Sequence, residues 1–332
     1  MNEFFYIVIG IFGAILGSFA SAVIPRIKAG QDFVTERSEC PNCKHELGVL
    51  DLFPILSYIC LLGKCRYCKS SIPPYHFLLE LTMASGFVLV ASQFVDMSMV
   101  VAGDLGQLAT LVFLLAAMFI TVVFCAYDLL YMEIPDEFMI PFLTITLIIL
   151  TAAPFLPAGM FGYFMPFQNE ILNLPLQQAL LGALPIFFFF YLQIVISNER
   201  WMGGGDLRIA IFMGFIAGAK IAWLGLFLAY IIGSIIGMML MLLSSLRQSA
   251  HNRKLAETSE KSSNSQENGA LQRDTVSATV KEGPEIGTGS SDAEEVSTMT
   301  MIPFGPFLAC GIWAALLWSE PILRWYFSLV IL

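Results

Sequence analysis

Charged side chains are scarce in this sequence: they make up 13% of its 332 residues, whereas 57% are hydrophobic. So little charge excludes an ordinary soluble globular protein, in which about 25% of residues are charged. The formal charge of −9 lies mostly in loops and in one polar insert. The net charge therefore says little about binding partners. The apolar composition predicts contact with the lipid bilayer, and no nucleic-acid partner is expected.

Two further features are missing. No internal repeat of the solenoid type is visible. The first apolar run, residues 4–24, lacks the basic flank and the cleavage site of a signal peptide, so we interpret it as a retained membrane span. Gly10, Gly13 and Gly17 lie on one side of that run and indicate close packing against another helix.

Long apolar runs recur through the rest of the chain, and several have the roughly 20 residues that cross a bilayer as a helix. These runs lie at residues 77–95, 108–127, 138–156, 177–196, 207–219, 221–245 and 303–319. The sequence therefore predicts an all-α polytopic membrane protein with about eight transmembrane helices. The run 207–219 is short and is either a full span or a re-entrant segment.

Basic residues orient the predicted spans. Seven of the seventeen Lys and Arg residues lie in residues 25–76, and the segments 25–76, 197–206 and 246–300 together contain fourteen. Cytoplasmic loops of membrane proteins are enriched in Lys and Arg. We therefore place these segments in the cytoplasm and the N-terminus on the periplasmic side.

The segment 246–300 differs in composition from the rest of the chain. It is rich in Ser, Thr and Glu and contains no aromatic residue. Such a segment buries too little apolar surface to fold alone. We predict a disordered cytoplasmic loop, which is either a regulatory or partner-binding segment or a tolerated insertion.

Four cysteines form the clearest chemical motif, Cys40-x-x-Cys43 followed by Cys65-x-x-Cys68. Each pair can present two thiolates to one tetrahedral ion, so together they predict a Cys₄ zinc site. Disulfides are disfavoured in the cytoplasm. Because four thiolates leave no open position for water, a structural zinc is favoured over a catalytic one. The remaining cysteines lie in apolar runs and are expected to be buried: Cys60, Cys125 and Cys310.

Two aspartates, far apart in sequence, are predicted to reach the same face of the membrane. Asp128 follows the run 108–127, and Asp206 precedes the run 207–219. A carboxylate at this depth is costly and is usually kept for function. A close pair shares a proton, so that one member can activate water while the other hydrogen-bonds a carbonyl. For Asp128 the alternative is a charged helix end facing lipid headgroups.

Four residues are predicted to support this pair. Gly203 and Gly205, next to Asp206, allow the backbone to approach a substrate closely. Asp136 follows a proline and is expected to cap the next helix. Glu80 lies near the start of the second span and should face the helix bundle or the cytoplasmic boundary.

These motifs, in this order, resemble the type IV prepilin peptidases, the bifunctional leader peptidases and N-methyltransferases of type IV pilus and type II secretion systems. Ser21 and Arg208 stand where that family usually has Asn and Lys. The motifs that carry the resemblance run along nearly the whole chain: Gly17-Ser18-Phe19 with Arg26, the double Cys-x-x-Cys segment, Asp128 with Ile134-Pro135-Asp136, Gly203-Gly204-Gly205-Asp206, and Ile302-Pro303-Phe304-Gly305-Pro306. The two aspartyl motifs are similar to those of GxGD intramembrane peptidases.

The resemblance implies that Asp128 and Asp206 carry an aspartyl peptidase activity in the bacterial inner membrane. It implies that the short basic leader of prepilins and pseudopilins is cleaved after a Gly on the cytoplasmic side. The new N-terminal residue would then be methylated with S-adenosylmethionine. No glycine-rich methyl-donor motif of the soluble kind is visible, so methyl transfer is implied by the resemblance alone and no cofactor-binding residue is assigned.

The predicted organisation has five parts: a first transmembrane helix (1–24), a cytoplasmic zinc-binding domain (25–76), a transmembrane aspartyl peptidase core (77–245), the disordered insert (246–300), and a last helix with the C-terminus (301–332). Without the resemblance, two other functions stay open. One is a membrane transporter that uses the carboxylates as a proton relay. The other is a zinc-bearing scaffold for a secretion machine.

Overall fold

The computed structural model describes residues 2–31, 37–152, 175–198, 203–270 and 303–330. Within these ranges the regular structure is helical, apart from two isolated bridges in the first loop. The predicted all-α class is therefore confirmed. The helices are α1 (Asn2–Ala29), α2 (Leu56–Cys60), α3 (Tyr75–Phe94), α4 (Met97–Val101), α5 (Leu105–Tyr131), α6 (Asp136–Ala152), α7 (Pro175–Ser197), α8 (Gly204–Ala270) and α9 (Gly305–Val330).

In the described part of the chain, five helical stretches are long and apolar enough to cross a membrane. They are Glu3–Ala29, Tyr75–Phe94, Leu105–Tyr131, Ala179–Ser197 and Ile221–Leu246. The other predicted runs are also helical where the structure describes them, but they are shorter. Gly305–Ser319 is a short apolar helix, and residues 153–156 of the predicted fourth run lie outside the described residues.

Two helices contain a break. α8 departs from helical geometry at Gly218 (φ 68°, ψ 172°), which separates the predicted runs 207–219 and 221–245. At 1.5 Å per residue the piece before the break is about 20 Å long, which is less than the roughly 30 Å of a bilayer's hydrocarbon core. α9 breaks at Trp318, three residues before Pro321, because a proline ring clashes with the carbonyl group four residues earlier.

The predicted boundary at residue 246 is not where α8 ends. The helix continues to Ala270, because Glu, Lys, Gln and Arg residues propagate a helix that an apolar segment has started. Residues 271–302 lie outside the described residues, and disorder there stays a prediction. By compactness the chain divides into one unit of Met1–Ile232 with Pro303–Leu332 and a second of Gly233–Ile302. The candidate functional residues discussed below all belong to the first unit.

Glycines bring α1 and α3 into close contact, as their spacing predicted. A Cβ atom at Gly17 would lie 2.7 Å from the Cα atom of Glu80, and one at Gly13 would lie 2.9 Å from the carbonyl oxygen of Met83. No side chain fits at either position without moving a backbone. These contacts hold the end of α1 against the first turns of α3.

α5 lies at the centre of the membrane domain. Buried apolar side chains on one side of it pack with α1 and α3 around Met83 and Phe87. On the other side they pack with α6 to α9, and the ring of Phe124 meets that of Phe212 edge to face at 5.6 Å. Phe124 lies one turn before Asp128, and Phe212 lies on the first part of α8. This contact therefore places the end of α5 beside the beginning of α8.

Candidate active site and metal centre

Asp128 lies in the last turn of α5. The helix ends just after it because Met132 takes a left-handed conformation (φ 54°, ψ 35°) and donates its backbone N–H to the carbonyl oxygen of Asp128 at 2.8 Å. A left-handed residue stops the helical hydrogen-bond ladder. The Asp128 side chain is 7% exposed, so it faces the interior of the helix bundle. The alternative position, facing lipid headgroups, does not fit this burial.

The backbone of Gly305 covers the Asp128 carboxylate. A Cβ atom at residue 305 would lie 2.5 Å from Oδ2 of Asp128 and 2.8 Å from Cδ1 of Ile209. Among the described residues, that Oδ2 atom is buried and no donor meets it in full hydrogen-bond geometry, although the backbone of Gly305 lies close enough to interact with the carboxylate. A buried polar atom without a partner is costly and rare. An unpartnered carboxylate oxygen is therefore the strongest local indication of a reactive site.

Asp206 lies in the first turn of α8, where its backbone N–H donates to the carbonyl oxygen of Gly203 at 3.3 Å. Burial, and after it the negative charge of Asp128, together raise the pKa of this carboxyl group to about 7. Ile209, one turn after Asp206, shares the contact with Gly305 described above. The structure thus brings the two aspartates to one place between α5, α8 and α9.

The three glycines before Asp206 have different surroundings. A Cβ atom at Gly205 would lie 2.8 Å from Cδ1 of Ile134, in the loop that follows Asp128. At Gly203 and Gly204 a Cβ atom would meet nothing within 4 Å among the described residues. Gly205 therefore packs against the α5–α6 loop, whereas no described residue packs against Gly203 or Gly204.

The α5–α6 loop is held by ion pairs at both ends. Lys28, at the end of α1, lies 2.5 Å from Glu133, and Arg208, on α8, forms an ion pair with Asp136. Asp136 is the first residue of α6, and its carboxylate accepts a hydrogen bond from the guanidinium of Arg208, a charge-assisted pair. Its predicted role as a helix cap stays a prediction.

Glu80 lies at the contact between the first loop and α3. Its side chain is 8% exposed, and Oε2 accepts a hydrogen bond from the backbone N–H of Ile55 at 2.7 Å. Ile55 has a left-handed backbone (φ 64°), which is unusual for a β-branched residue. Glu80 therefore ties the first loop to α3, and its predicted support of Asp128 and Asp206 stays a prediction.

The two Cys-x-x-Cys segments fold into matching turns. The N–H of Cys40 donates to the carbonyl of His45, and the N–H of Cys65 donates to that of Ser70. In each turn the residue after the second cysteine, Lys44 or Lys69, has a positive φ. The turns face each other, and the four sulfur atoms, of Cys40, Cys43, Cys65 and Cys68, lie within 4.8 Å of one another.

This arrangement can hold one metal ion. In a tetrahedral site with Zn–S bonds of about 2.3 Å, the sulfur atoms are about 3.8 Å apart, and the Sγ atoms of Cys40 and Cys68 are 3.8 Å apart. A hydrogen bond from Ser70 lowers the pKa of the Cys68 thiol to about 6. Backbone N–H groups of Cys43 and Asn42 lower the pKa of Cys40. Both effects favour the thiolate, the form that binds metals.

The expectation that the other cysteines are buried was wrong. Cys60 and Cys310 are exposed, and Cys125 is half-buried. Cys125 and Cys310 lie on membrane helices, which need protein packing on only one side, whereas Cys60 lies on α2 in the first loop. An apolar sequence context therefore did not predict burial inside the protein.

Sequence reasoning missed a polar pair within the helices next to the site. Nε2 of Gln193 on α7 lies 3.2 Å from the hydroxyl oxygen of Tyr230 on α8. The ring of Tyr230 lies 5.1 Å from that of Phe304, which directly precedes Gly305. The only signal in the sequence was a polar residue within each apolar run. The sequence shows Gly305 as part of a motif and does not report its contact with Asp128.

Comparison with known proteins gives a consistent answer. Residues 11–94 match the Bacterial Peptidase A24 N-terminal domain, and residues 113–238 match the Type IV leader peptidase family. The chain is similar to the prepilin leader peptidase/N-methyltransferase of Aeromonas salmonicida, with 26% identity over 307 residues that cover 90% of this chain and 77% of the relative.

Two other relatives carry the same name. The protein of Pseudomonas aeruginosa is 25% identical, with 95% of this chain and 90% of the relative covered. The protein of Bacillus subtilis is 29% identical, with 68% of this chain and 79% of the relative covered. No solved structure matches the chain. The first matched domain contains the four-cysteine cluster, and the second contains both Asp128 and Asp206. The chain belongs to the type IV leader peptidase family.

Proposed function

We propose that this protein is an aspartyl endopeptidase that removes the short basic leader from type IV prepilins and pseudopilins, with Asp128 and Asp206 as its catalytic residues. The observation that carries the proposal is the buried, unpartnered Oδ2 of Asp128 beneath the backbone of Gly305, with Asp206 on the adjacent helix end. The charge of Asp128 acts on Asp206, and two interacting carboxyl groups cannot comfortably both be ionised, so they share one proton.

The shared proton defines the two roles. The ionised aspartate takes a proton from water, and the water oxygen attacks the scissile carbonyl carbon, while the protonated aspartate donates a hydrogen bond to the carbonyl oxygen. When the tetrahedral intermediate collapses, the C–N bond breaks and a carboxyl proton passes to the leaving amine. A pKa of Asp206 near 7 suits a group that exchanges a proton at neutral pH.

The position of the site suits a substrate that straddles the membrane boundary. The basic leader stays in the cytoplasm and the apolar stem stays in lipid, so the bond between them, after a Gly, lies at the depth of the two aspartates. Gly203 and Gly204 carry no side chain and have no described neighbour within 4 Å of an added Cβ atom, which suits the close approach of an extended substrate backbone. This assignment places the N-terminus in the periplasm and the enzyme in the inner membrane.

Two further assignments complete the proposal. The relatives' shared name includes an N-methyltransferase, and we assign to this chain methylation of the newly exposed N-terminal residue with S-adenosylmethionine, in service of type IV pili or type II secretion. The four cysteines hold one structural Zn²⁺. With all four positions filled by thiolates, the ion orders the first loop and has no position for a substrate.

The proposal is tested by cleavage of a prepilin in membranes that contain Asp128→Asn or Asp206→Asn. Each variant should lose activity by about 100-fold or more, since each removes a proton-transfer group. The matched control is Asp104→Asn at the opposite end of α5, where Asp104 caps the helix and Asn caps equally well. Normal cleavage by both site variants would refute the peptidase assignment and favour a scaffold or a transporter.

A further inference from the structure

The first loop exposes a row of apolar side chains although the sequence places this loop outside the membrane spans. Six residues of this row are each more than half exposed: Val49, Leu50, Phe53, Leu56, Ile59 and Leu62. They lie between the two cysteine turns, and Leu56 and Ile59 belong to α2. Exposed apolar residues in such a cluster are uncommon on a water-facing surface and mark a site of contact.

Two contacts fix the depth of α2. The ring of Tyr58 stacks on that of Phe77 at 5.2 Å, and the N–H of Ile55 binds the Glu80 carboxylate at 2.7 Å. Phe77 and Glu80 lie in the first two turns of α3. At 1.5 Å per residue, Glu80 is about 7 Å along the helix from Tyr75.

α3 has just the length needed to cross a bilayer. Its 20 residues, Tyr75–Phe94, all belong to the membrane-spanning stretch, and a helix of that length covers about 30 Å, the thickness of the hydrocarbon core. A segment that is hydrogen-bonded to Glu80 therefore lies at the level of the headgroups and the upper acyl chains. The bulk cytoplasm is farther out.

The exposed surface of α3 next to α2 is also apolar. Leu78 and Leu81, each one position along α3 from the residues that hold α2, are exposed, and on a membrane helix such residues face lipid. Lys64 and Lys69, farther along the loop, are also exposed and offer cations to anionic headgroups. Apolar residues beside basic ones are typical of a segment that lies in the membrane interface.

We infer that the segment from Val49 to Leu62 lies in the cytoplasmic interface of the bilayer, with its exposed side chains among the lipid headgroups and upper acyl chains. The bilayer, and no second protein, is the partner of this surface. The metal-binding turns are thereby held at the membrane by lipid contacts as well as by Glu80. The inference does not depend on the peptidase chemistry.

Photocrosslinking in the full chain tests this inference. The photoreactive residue p-benzoylphenylalanine replaces Phe53 or Leu56, and the protein is reconstituted in nanodiscs of phosphatidylethanolamine and phosphatidylglycerol. After irradiation, mass spectrometry detects phospholipid adducts on the protein. Leu78 is the positive control on α3, and Glu46, an exposed residue of the first cysteine turn that pairs with Arg37, is the water-facing control.

The expected result is phospholipid adducts at positions 53, 56 and 78 and none at position 46. Adducts at position 78 without adducts at positions 53 and 56 would overturn the inference. Crosslinks from positions 53 and 56 to another polypeptide would also overturn it and would assign the surface to a protein partner. Helical circular dichroism and a single gel-filtration peak, equal to those of the unsubstituted chain, verify the fold of each variant.

Discussion

Gly305 and Asp128 are in direct contact: the backbone of the glycine lies on Oδ2 of the carboxylate, so close that a Cβ atom at residue 305 would come within 2.5 Å of it. The contact joins the start of α9 to the end of α5. It explains in physical terms why a glycine stands between Phe304 and Pro306, since any side chain there would displace the carboxylate from its position.

Gly305→Ala should therefore reduce prepilin cleavage by at least about tenfold, equivalent to about 1.4 kcal/mol of transition-state stabilisation, because the added methyl group displaces Asp128. Cleavage kinetics in membranes measure the effect. The control is Gly237→Ala, where no described residue lies within 4 Å of an added Cβ atom. Equal activity of the two variants would contradict the proposed role of the contact.

The pKa of Asp206 predicts a pH dependence of stability. Its pKa is about 7 in the folded protein against an ordinary value of 3.8, so the folded state binds the proton more tightly than the unfolded state. Stability is then greatest below pH 4 for this group and is lost as the pH rises from about 4 to 7. In thermal unfolding in detergent, Asp206→Asn should lack this decline, and an unchanged profile would contradict the shift.

Replacing one cysteine of the metal centre should release the ion. Cys40→Ser or Cys65→Ser leaves three thiolates, and metal analysis of the purified protein should fall from one Zn²⁺ per chain to well below one. Cys60→Ser is the control, since Cys60 lies outside the cluster. Full zinc occupancy in the Cys65→Ser variant would show that the metal lies elsewhere.

The hydrogen bond between Glu80 and Ile55 should order the first loop. Glu80→Leu removes the acceptor and leaves the N–H of Ile55 unpaired, which costs about 1–3 kcal/mol, whereas Glu80→Gln keeps an acceptor oxygen. Hydrogen exchange of the amides in Leu56–Cys60 is the measurement. Exchange should be faster in the Leu variant than in the Gln variant, and equal rates in both would argue against the contact.

The ion pair between Arg208 and Asp136 should contribute little to stability. Both side chains are nearly half exposed, 49% and 45%, and exposed pairs are worth about 0–1 kcal/mol. A double-mutant cycle with Arg208→Ala and Asp136→Ala should give a coupling energy in that range. Arg208→Lys should keep most of it, so the departure from the family's usual lysine is expected to have little effect. A coupling above about 2 kcal/mol would mean that the pair is desolvated.

Two features of this protein follow from its sequence alone. The apolar runs predicted helices at each of the eight positions, because a backbone in lipid must satisfy its own hydrogen bonds. The Cys-x-x-Cys pairs predicted a four-thiolate cluster, because each turn is local and presents its own two ligands. The distribution of Lys and Arg also predicted that Asp128 and Asp206 lie on the same face of the membrane. It gives no distance between the two side chains.

The tertiary structure alone decided which side chains meet. Sequence does not report the rotation of a helix about its axis or the angle at which helices cross, and these place Gly305 on Asp128 and Glu80 against Ile55. For the same reason the composition of the first loop gave no hint that Phe53 and Leu56 are exposed beside α3. Local patterns determine elements and turns, whereas contacts between distant residues depend on packing summed over the whole helix bundle.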